Sequence, residues 1–310
     1  MYKNTRSISD WAVVALVIVT IISVISVFTT PQAMATNQQD QNMTIVADEE
    51  IIPTVAPDVE ETIEDSTPRH ELQWNTTDII KFDGNITFES EYIVRDGYLP
   101  YALYTPSTAA TNDKTPLIVW LHGSGERNVG QDTFMNRGFM DIMNKWATEG
   151  FNAYVIAPQL NSNYTRNSGV WCDNQSTQQV KDIIDMAIAE YNIDPERIVI
   201  CGHSLGGQGT TYIASKLDGY FACVVPLSGY DCWIDISNIS VPVRAYVGTA
   251  RGGEDEASYH YVTEKFARIF GSDNVFTADK THGQVPYWAF SIDEDGNNRS
   301  DLIEWMFANM

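Results

Sequence analysis

Short apolar runs alternate with amphipathic helical stretches over residues 116–310, and this alternation constrains the fold more than any other feature of the sequence. The predicted strands are PLIVWLHG, NAYVIAPQ, RIVICG, FACVVPLSG, PVRAYVG and NVFTAD. The predicted helices are GFMDIMNKWATEG, TQQVKDIIDMAIAEYN, QGTTYIASKL, ASYHYVTEKFARIFG and SDLIEWMFANM. Strands joined by helical crossovers form a parallel sheet with helices on both faces. We therefore predict an α/β fold with a mostly parallel central sheet.

The stretch FDGNITFESEYIVRDGYLPYALYTP precedes this alternation and has a different pattern. It contains short alternating runs that are broken by Asp-Gly pairs, which is typical of antiparallel strands and hairpins. We expect it to add an antiparallel edge at the N-terminal side of the sheet.

The first 35 residues have the three parts of a signal peptide. Lys3 and Arg6 precede the apolar run 11–28, and Ala33-Met34-Ala35 is an A-x-A-like cleavage site. An uncleaved membrane anchor is the alternative, because about 18 apolar residues approach membrane-spanning length. In either case we predict that the rest of the chain is exported, as a secreted or cell-surface protein. Contact with a membrane is expected only if this segment stays uncleaved.

Residues 36–70 carry nine acidic side chains, one arginine, three prolines and no aromatic residue. Such a segment cannot bury enough apolar surface to offset its ordering entropy, so we predict a disordered acidic linker. The chain is 44% hydrophobic, which is enough for a sizeable core, and residues 71–310 are predicted to form one catalytic domain. The formal charge of -22 argues against nucleic acid and anionic lipid as partners, since both would repel it.

The predicted export makes the four cysteines candidates for disulfides. Four cysteines allow three pairings, and the sequence alone does not choose among them. Cys201 and Cys223 lie in apolar, strand-like runs, where a buried free thiol is the ordinary interpretation. Cys172 and Cys232 lie in loop-like stretches, and we predict a disulfide between these two.

The motif Gly202-His203-Ser204-Leu205-Gly206 fits G-x-S-x-G and lies between a predicted strand and a predicted helix. The flanking glycines remove side chains that would collide in a sharp turn, which leaves the serine hydroxyl exposed above the sheet. The start of the helix supplies free N–H groups and partial positive charge. We predict that Ser204 is a nucleophile; an idle serine in a glycine-rich turn is the alternative.

A serine nucleophile needs a base, and the chain contains five histidines. His70 lies in the linker, His122 follows a predicted strand, His203 belongs to the serine turn, and His260 lies inside a predicted helix. His282 follows the last predicted strand, where a chain order of serine, acid and histidine puts the base. Elimination leaves His282 as the predicted base.

The acidic member should lie between the strand PVRAYVG and the base. The loop TARGGEDEAS offers Glu254, Asp255 and Glu256 there. One carboxylate would accept the imidazole N–H, fix the tautomer and stabilise the imidazolium. We predict Asp255 for this role, with Glu254 as the alternative.

A developing oxyanion needs two preorganised N–H donors. The first predicted donor is the backbone of Leu205, the residue after the nucleophile. The second should come from HGSGER after the strand PLIVWL, where glycines let the backbone approach a substrate closely. We predict the main-chain N–H of Ser124, with Gly125 as the alternative.

Over about residues 90–310 the sequence resembles the α/β-hydrolase superfamily. The segments YALYTP, PLIVWLHGSGER, NIDPERIVICGHSLGG and THG resemble secreted esterases of the feruloyl esterase and polyhydroxybutyrate depolymerase-like group. Sequences of this kind are often described as peptidases of the prolyl oligopeptidase type. The resemblance implies an α/β-hydrolase fold. These families usually place the acid three residues after the glycine that ends the preceding strand, and that position is Arg251 here, followed by GGEDE.

These features predict an exported serine hydrolase that cleaves carboxylic esters, either small molecules or esters linked to a polysaccharide, through an acyl-enzyme. No metal or organic cofactor is implied, and the cysteines and histidines lack zinc-ligand spacing. A serine peptidase or an acyltransferase with the same residues is the first alternative. A non-catalytic surface-binding module on a hydrolase fold is the second.

Overall fold

An eight-stranded sheet forms the centre of the structure. The computed structural model describes residues 86–109, 114–136, 139, 151–229, 234–250, 256–290 and 301–310, which all belong to one compact unit, Glu61–Met310. In these ranges the strands are β1 (Phe88–Ile93), β2 (Tyr101–Pro106), β3 (Thr115–Leu121), β4 (Tyr154–Pro158), β5 (Ile193–His203), β6 (Cys223–Leu227), β7 (Ala245–Gly248) and β8 (Val275–Ala278). The α-helices there are α1 (Gln131–Met135), α2 (Asn174–Glu190), α3 (Leu205–Lys216), α4 (Glu256–Phe270), α5 (Val285–Phe290) and α6 (Leu302–Ala308). Short 3₁₀ turns lie at Ser124–Glu126, Ser272–Asn274 and His282–Gln284.

The strands follow the order β1-β2-β4-β3-β5-β6-β7-β8 across the sheet. β1 pairs with β2, and β2 with β4, in antiparallel direction, whereas the other neighbouring pairs are parallel. The predicted α/β architecture with an antiparallel N-terminal edge is therefore confirmed. The carboxyl ends of the parallel strands lie at one edge of the sheet, so the loops that follow them converge there.

Two elements begin earlier than the sequence pattern predicts. β5 begins at Ile193, before the apolar run RIVICG, because Ile193 pairs with Thr115 across an irregularity in the register. α2 begins at Asn174 because Asp173 caps it: the carboxylate accepts the Ser176 N–H at 2.6 Å. Both extensions depend on a specific partner group rather than on apolar periodicity.

The helix α5 is not predicted by the sequence pattern. Its sequence VPYWAF has a proline at the second position, which favours a loop in a pattern-based prediction. A proline is nevertheless compatible with the first turn of a helix, where no intrahelical N–H donor is needed. The predicted helix GFMDIMNKWATEG lies outside the described residues except for Phe139.

Apolar side chains pack against both faces of the sheet. One cluster contains residues of α2, α3 and α4, and the other contains residues of α5 and α6. β3 is buried at every position, as expected for a parallel strand that is covered on both faces. The predicted placement of helices on both faces of the sheet is therefore confirmed.

The start of α3 lies unusually close to the end of β3. A Cβ atom built on Gly206 would lie 1.8 Å from the carbonyl oxygen of Leu121, and one built on Gly209 would lie 2.2 Å from Cβ of Trp171. Glycine is therefore required at both positions by close approach. The contact at Gly206 brings the first turn of α3 beside the loop that follows β3.

The predicted boundaries at residues 35/36 and 70/71 lie outside the described residues, as do the apolar run 11–28 and the acidic linker. Both boundaries stay predictions. None of the helices within the described ranges is long and apolar enough to span a bilayer.

We expect Gly206→Ala to destabilise the fold by about 3 kcal/mol or more, because the new methyl group would overlap the Leu121 backbone and force α3 away from β3. Gly130→Ala is the matched control, since a Cβ at Gly130 meets nothing within 4 Å and the backbone φ is -65°. Urea unfolding of both variants measures the difference. Equal stability of the two variants would contradict the close approach of α3 to β3.

Candidate active site

Ser204 lies in the turn between β5 and α3, in the arrangement that the sequence predicts. Its backbone has φ 59° and ψ -118°, a conformation that costs a non-glycine residue about 1–3 kcal/mol. The turn is held by the Ser204 N–H, which donates to Leu227 O at 3.0 Å, and by the Gln208 N–H, which donates to Ser204 O at 3.1 Å. The side chain is half-buried. A strained turn that presents one hydroxyl is the geometry expected for a nucleophile.

His282 lies next to this turn. It begins the 3₁₀ turn that follows β8, and its ring centroid is 4.7 Å from that of His203. The His203 Nε2–H donates to the backbone carbonyl of His282 at 2.9 Å, so the two segments are tied together. The predicted base is therefore in contact with the residue that precedes the predicted nucleophile.

The predicted acid, Asp255, and its alternative, Glu254, lie outside the described residues. The chain on both sides of them is described. Thr249 N–H donates to Ala278 O at 2.8 Å, and Ala250 N–H donates to Lys280 O at 3.3 Å. Thr249 and Ala250, which follow β7, thus lie alongside the segment that leads to His282. This position is compatible with Asp255 or with Glu254 as the partner of His282.

The two predicted oxyanion donors are found at the starts of two helical turns. Ser124 begins the 3₁₀ turn after β3, and Leu205 begins α3. Neither N–H has a hydrogen-bond acceptor among the residues that the structure describes. A Cβ built on Gly123 would lie 3.5 Å from Ser204 Cβ, so the loop carrying Ser124 packs directly against the predicted nucleophile. Helical N-termini favour negative charge, which suits an oxyanion.

His122 orients one of these donors, a role that the sequence analysis does not predict. The ring is fully buried, and its Nε2 accepts the Leu160 N–H at 3.0 Å. Its Nδ1 therefore carries the proton, and it donates to Gly123 O at 2.6 Å. This carbonyl belongs to the same peptide group as the Ser124 N–H, so the imidazole fixes the plane of the donor. Burial lowers the pKa of His122 from 6.5 to about 4, which keeps the ring neutral.

The loop after β4 supports the loop that carries Ser124. Trp171 is fully buried, and its Nε1–H donates to His122 O at 3.0 Å. The buried Gln159 side chain donates from Nε2 to Glu126 O at 2.9 Å and to Val129 O at 3.0 Å. Arg127 adds a hydrogen bond from Nη1 to Gly169 O at 2.9 Å. The two loops therefore form one hydrogen-bonded unit, and these contacts span 30 to 49 residues along the chain.

Three of the four cysteines lie in the described part of the chain. Cys172 is disulfide-bonded, whereas Cys201 and Cys223 are buried free thiols, as expected for residues of β5 and β6. Burial raises the pKa of both free thiols. The predicted partner of Cys172, Cys232, lies outside the described residues, and the pairing stays a prediction. Within the described residues no group of three or more His, Cys, Asp or Glu side chains is placed to hold a metal ion.

Comparison with known proteins finds similarity to hydrolases. The model of the prolyl oligopeptidase family matches residues 158–267. The bifunctional acetylxylan esterase/xylanase of Neocallimastix patriciarum is 32% identical over 133 residues, which cover 41% of this chain and 17% of that protein. Poly(3-hydroxyalkanoate) depolymerase C of Paucimonas lemoignei is 27% identical over 157 residues, which cover 47% of this chain and 36% of that protein. The chain thus spans well under half the length of these curated relatives.

Among solved structures, a thermostable esterase matches with a TM-score of 0.53 and 25% identity. The match covers 72% of this chain and 62% of the esterase. The sheet order and this similarity confirm the fold that the sequence resemblance implies.

We expect the stability of the protein to fall as the pH drops from about 6.5 to about 4, in part because of His122. The pKa of this residue is lower in the folded protein, so the unfolded chain binds more protons in this pH range. Proton binding stabilises the unfolded chain, and the free energy of unfolding falls. Once the pH is below both pKa values of His122, its protonation has lowered the free energy of unfolding by about 3 kcal/mol. Urea unfolding of the native protein and His122→Asn at several pH values isolates it, because other titrating groups are common to both. Identical pH dependence in the two proteins would contradict a neutral, buried His122.

Proposed function

We propose that this chain, a member of the α/β-hydrolase superfamily, is a serine hydrolase that cleaves carboxylic esters. The observation that carries the proposal is the meeting of three features: the strained Ser204 turn, the Ser124 and Leu205 N–H groups that begin two helical turns, and His282 beside them. A nucleophile, a base and two anion donors are the parts that acyl transfer requires.

The reaction begins when Ser204 Oγ attacks the ester carbonyl while His282 takes the hydroxyl proton. The negative charge on the former carbonyl oxygen is stabilised by the Leu205 and Ser124 N–H groups. The intermediate collapses, the bond to the alcohol oxygen breaks, and His282 returns the proton to the leaving alcohol. Water then attacks the acyl-enzyme with His282 as base again, which releases the acid and restores Ser204. Asp255 accepts the other imidazole N–H and holds the ring in the required tautomer.

Esters are the substrates that the comparisons favour. The similar proteins include an acetylxylan esterase, a polyester depolymerase and a thermostable esterase. We therefore propose a small or polysaccharide-linked ester as the substrate, with no metal or organic cofactor. The signal-like residues 1–35 support export, either as a secreted or as a cell-surface protein.

A peptidase is the second candidate function. It is favoured by the match of residues 158–267 to the prolyl oligopeptidase family. The same nucleophile and base would serve both reactions, but an amide has a poorer leaving group and demands more from the proton donor. Relative turnover of an ester and its matching amide separates the two candidates.

We expect Ser204→Ala to lower kcat for a chromogenic ester by about 10⁴-fold or more, because the acyl-enzyme can no longer form. The assay uses residues 36–310 with short-chain and aromatic esters and the matching amides, and circular dichroism verifies that the variant is folded. Undiminished turnover in Ser204→Ala would refute the proposed nucleophile. Faster cleavage of the amide than of the ester would favour the peptidase.

The comparison of Asp255→Asn with Glu254→Gln identifies the acid. We expect Asp255→Asn to lower kcat by about 10⁴-fold, because an amide cannot hold the same histidine tautomer, whereas Glu254→Gln should stay within about threefold of the native enzyme. Each change removes one negative charge from the same loop, so each variant is a control for the other. The reverse order of activities would assign the role to Glu254.

A further inference from the structure

The side chain of His203 links the nucleophile turn to the segment that carries the predicted base. His203 is the last residue of β5, and its Nε2–H donates to the backbone carbonyl of His282 at 2.9 Å. The two residues lie 79 positions apart in the chain, so this bond joins two segments that are distant in sequence. A carbonyl oxygen only accepts hydrogen bonds, so Nε2 of His203 carries a proton. The bond is therefore formed whether His203 is neutral or cationic.

The sheet fixes the backbone of His203. This residue pairs with Leu227 of β6 in parallel register, and the N–H of the next residue, Ser204, donates to Leu227 O at 3.0 Å. On the side of β3, a Cβ built on Gly123 would lie 3.6 Å from His203 O. His203 is thus in contact with the loop after β3 and with the end of β6. A side chain on such a rigid element positions another group more precisely than a side chain on a loop does.

Local hydrogen bonds close the 3₁₀ turn that carries His282. The Gln284 N–H donates to Thr281 O at 2.9 Å, and the Thr281 N–H donates to Gln284 Oε1 at 3.0 Å. These two bonds shape the turn without connecting it to β5. The bond from His203 makes that connection, and the His282 carbonyl accepts it together with the Val285 N–H.

The two imidazole rings are also in contact. Their centroids are 4.7 Å apart, the ring planes are inclined by 44°, and both side chains are half-buried. The His203 ring therefore limits the orientations that are open to the His282 ring. A general base must lie within hydrogen-bond reach of the proton that it takes, and a displacement of about 1 Å can lower a rate by about 10²-fold. A base on a loop thus needs both its backbone and its ring to be held.

We propose that His203 is a positioning residue for the base: it holds the backbone and the ring of His282 beside the Ser204 turn. This inference rests on the proposed ester hydrolysis at Ser204. His203 acts through His282 and takes no proton in the reaction. The first variable position of the G-x-S-x-G motif thereby has a role in this chain that the motif itself does not require.

The test compares His203→Phe with His203→Gln in the hydrolysis of a chromogenic ester. Phenylalanine keeps a ring beside His282 but lacks the donor, so we expect kcat to fall by about tenfold while KM stays within about twofold of the native value. Glutamine supplies an amide N–H donor but cannot take a proton, so we expect kcat to return to within about threefold of the native value. An equally low kcat in both variants would overturn the proposal, because the hydrogen bond would then not be what the reaction needs.

Amide hydrogen exchange measures the same contact without turnover. The Val285 N–H shares the His282 carbonyl with His203, so we expect it to exchange about fivefold to tenfold faster in His203→Phe and at close to the native rate in His203→Gln. The Ala222 N–H, which donates to Ile198 O at 2.7 Å, is the internal control and should not change. An equal rise at Ala222 would overturn the proposal, since the variant would then have lost global stability rather than the position of one turn.

The outcomes distinguish this inference from the proposed function. If the native protein hydrolyses the ester, Ser204→Ala does not, and His203→Phe leaves kcat unchanged, the positioning role is overturned while ester hydrolysis stands. If the native protein hydrolyses no ester, the proposed function fails. The inference then fails with it whatever the exchange rates are, because there is no reaction for which His282 is positioned.

Discussion

The close approach between the first turn of α3 and the end of β3 determines where the polar groups of the candidate site meet. It requires the absence of a side chain at Gly206, where a Cβ would lie 1.8 Å from Leu121 O. Because of this contact, the N-terminus of α3 and the 3₁₀ turn after β3 lie side by side, each with an N–H that lacks an acceptor among the described residues. The proposed mechanism depends on this closeness, because it requires the Ser124 and Leu205 N–H groups to bind one oxygen atom.

The approach buries His122 and Gly123 at the start of the polar loop, which is favourable only if their polar groups find partners. His122 meets this requirement with both ring nitrogens, while Phe134 and Trp171 pack edge-on against its ring. The apolar surroundings keep the imidazole neutral, and the neutral imidazole is what can accept from Leu160 while donating to Gly123 O. Desolvation and hydrogen bonding therefore act together to hold the Gly123–Ser124 peptide in one orientation.

The predictable part of the molecule is the part that local pattern determines. Ser204 stands out because G-x-S-x-G requires a strand on one side and a helix on the other, and the apolar runs supply both. The support given by Gln159 and Trp171 could not be predicted, because each side chain donates to a backbone carbonyl 30 to 49 residues away. The role of His122 could not be predicted either, because its tautomer depends on the distant Leu160 N–H and its neutral state depends on burial. The choice between Asp255 and Glu254 stays open for a similar reason, since adjacent carboxylates in one loop share every local signal.

The polar groups that support the candidate site are desolvated when the protein folds, before any substrate binds. Folding itself buries His122, orients the Gly123–Ser124 peptide and holds Ser204 in its strained conformation, and the cores on both faces of the sheet offset these costs. In the proposed mechanism the Ser124 and Leu205 N–H groups are oriented before any substrate binds, so a developing negative charge meets fixed dipoles rather than water that must reorganise. Preorganisation of this kind benefits an oxyanion at one position only.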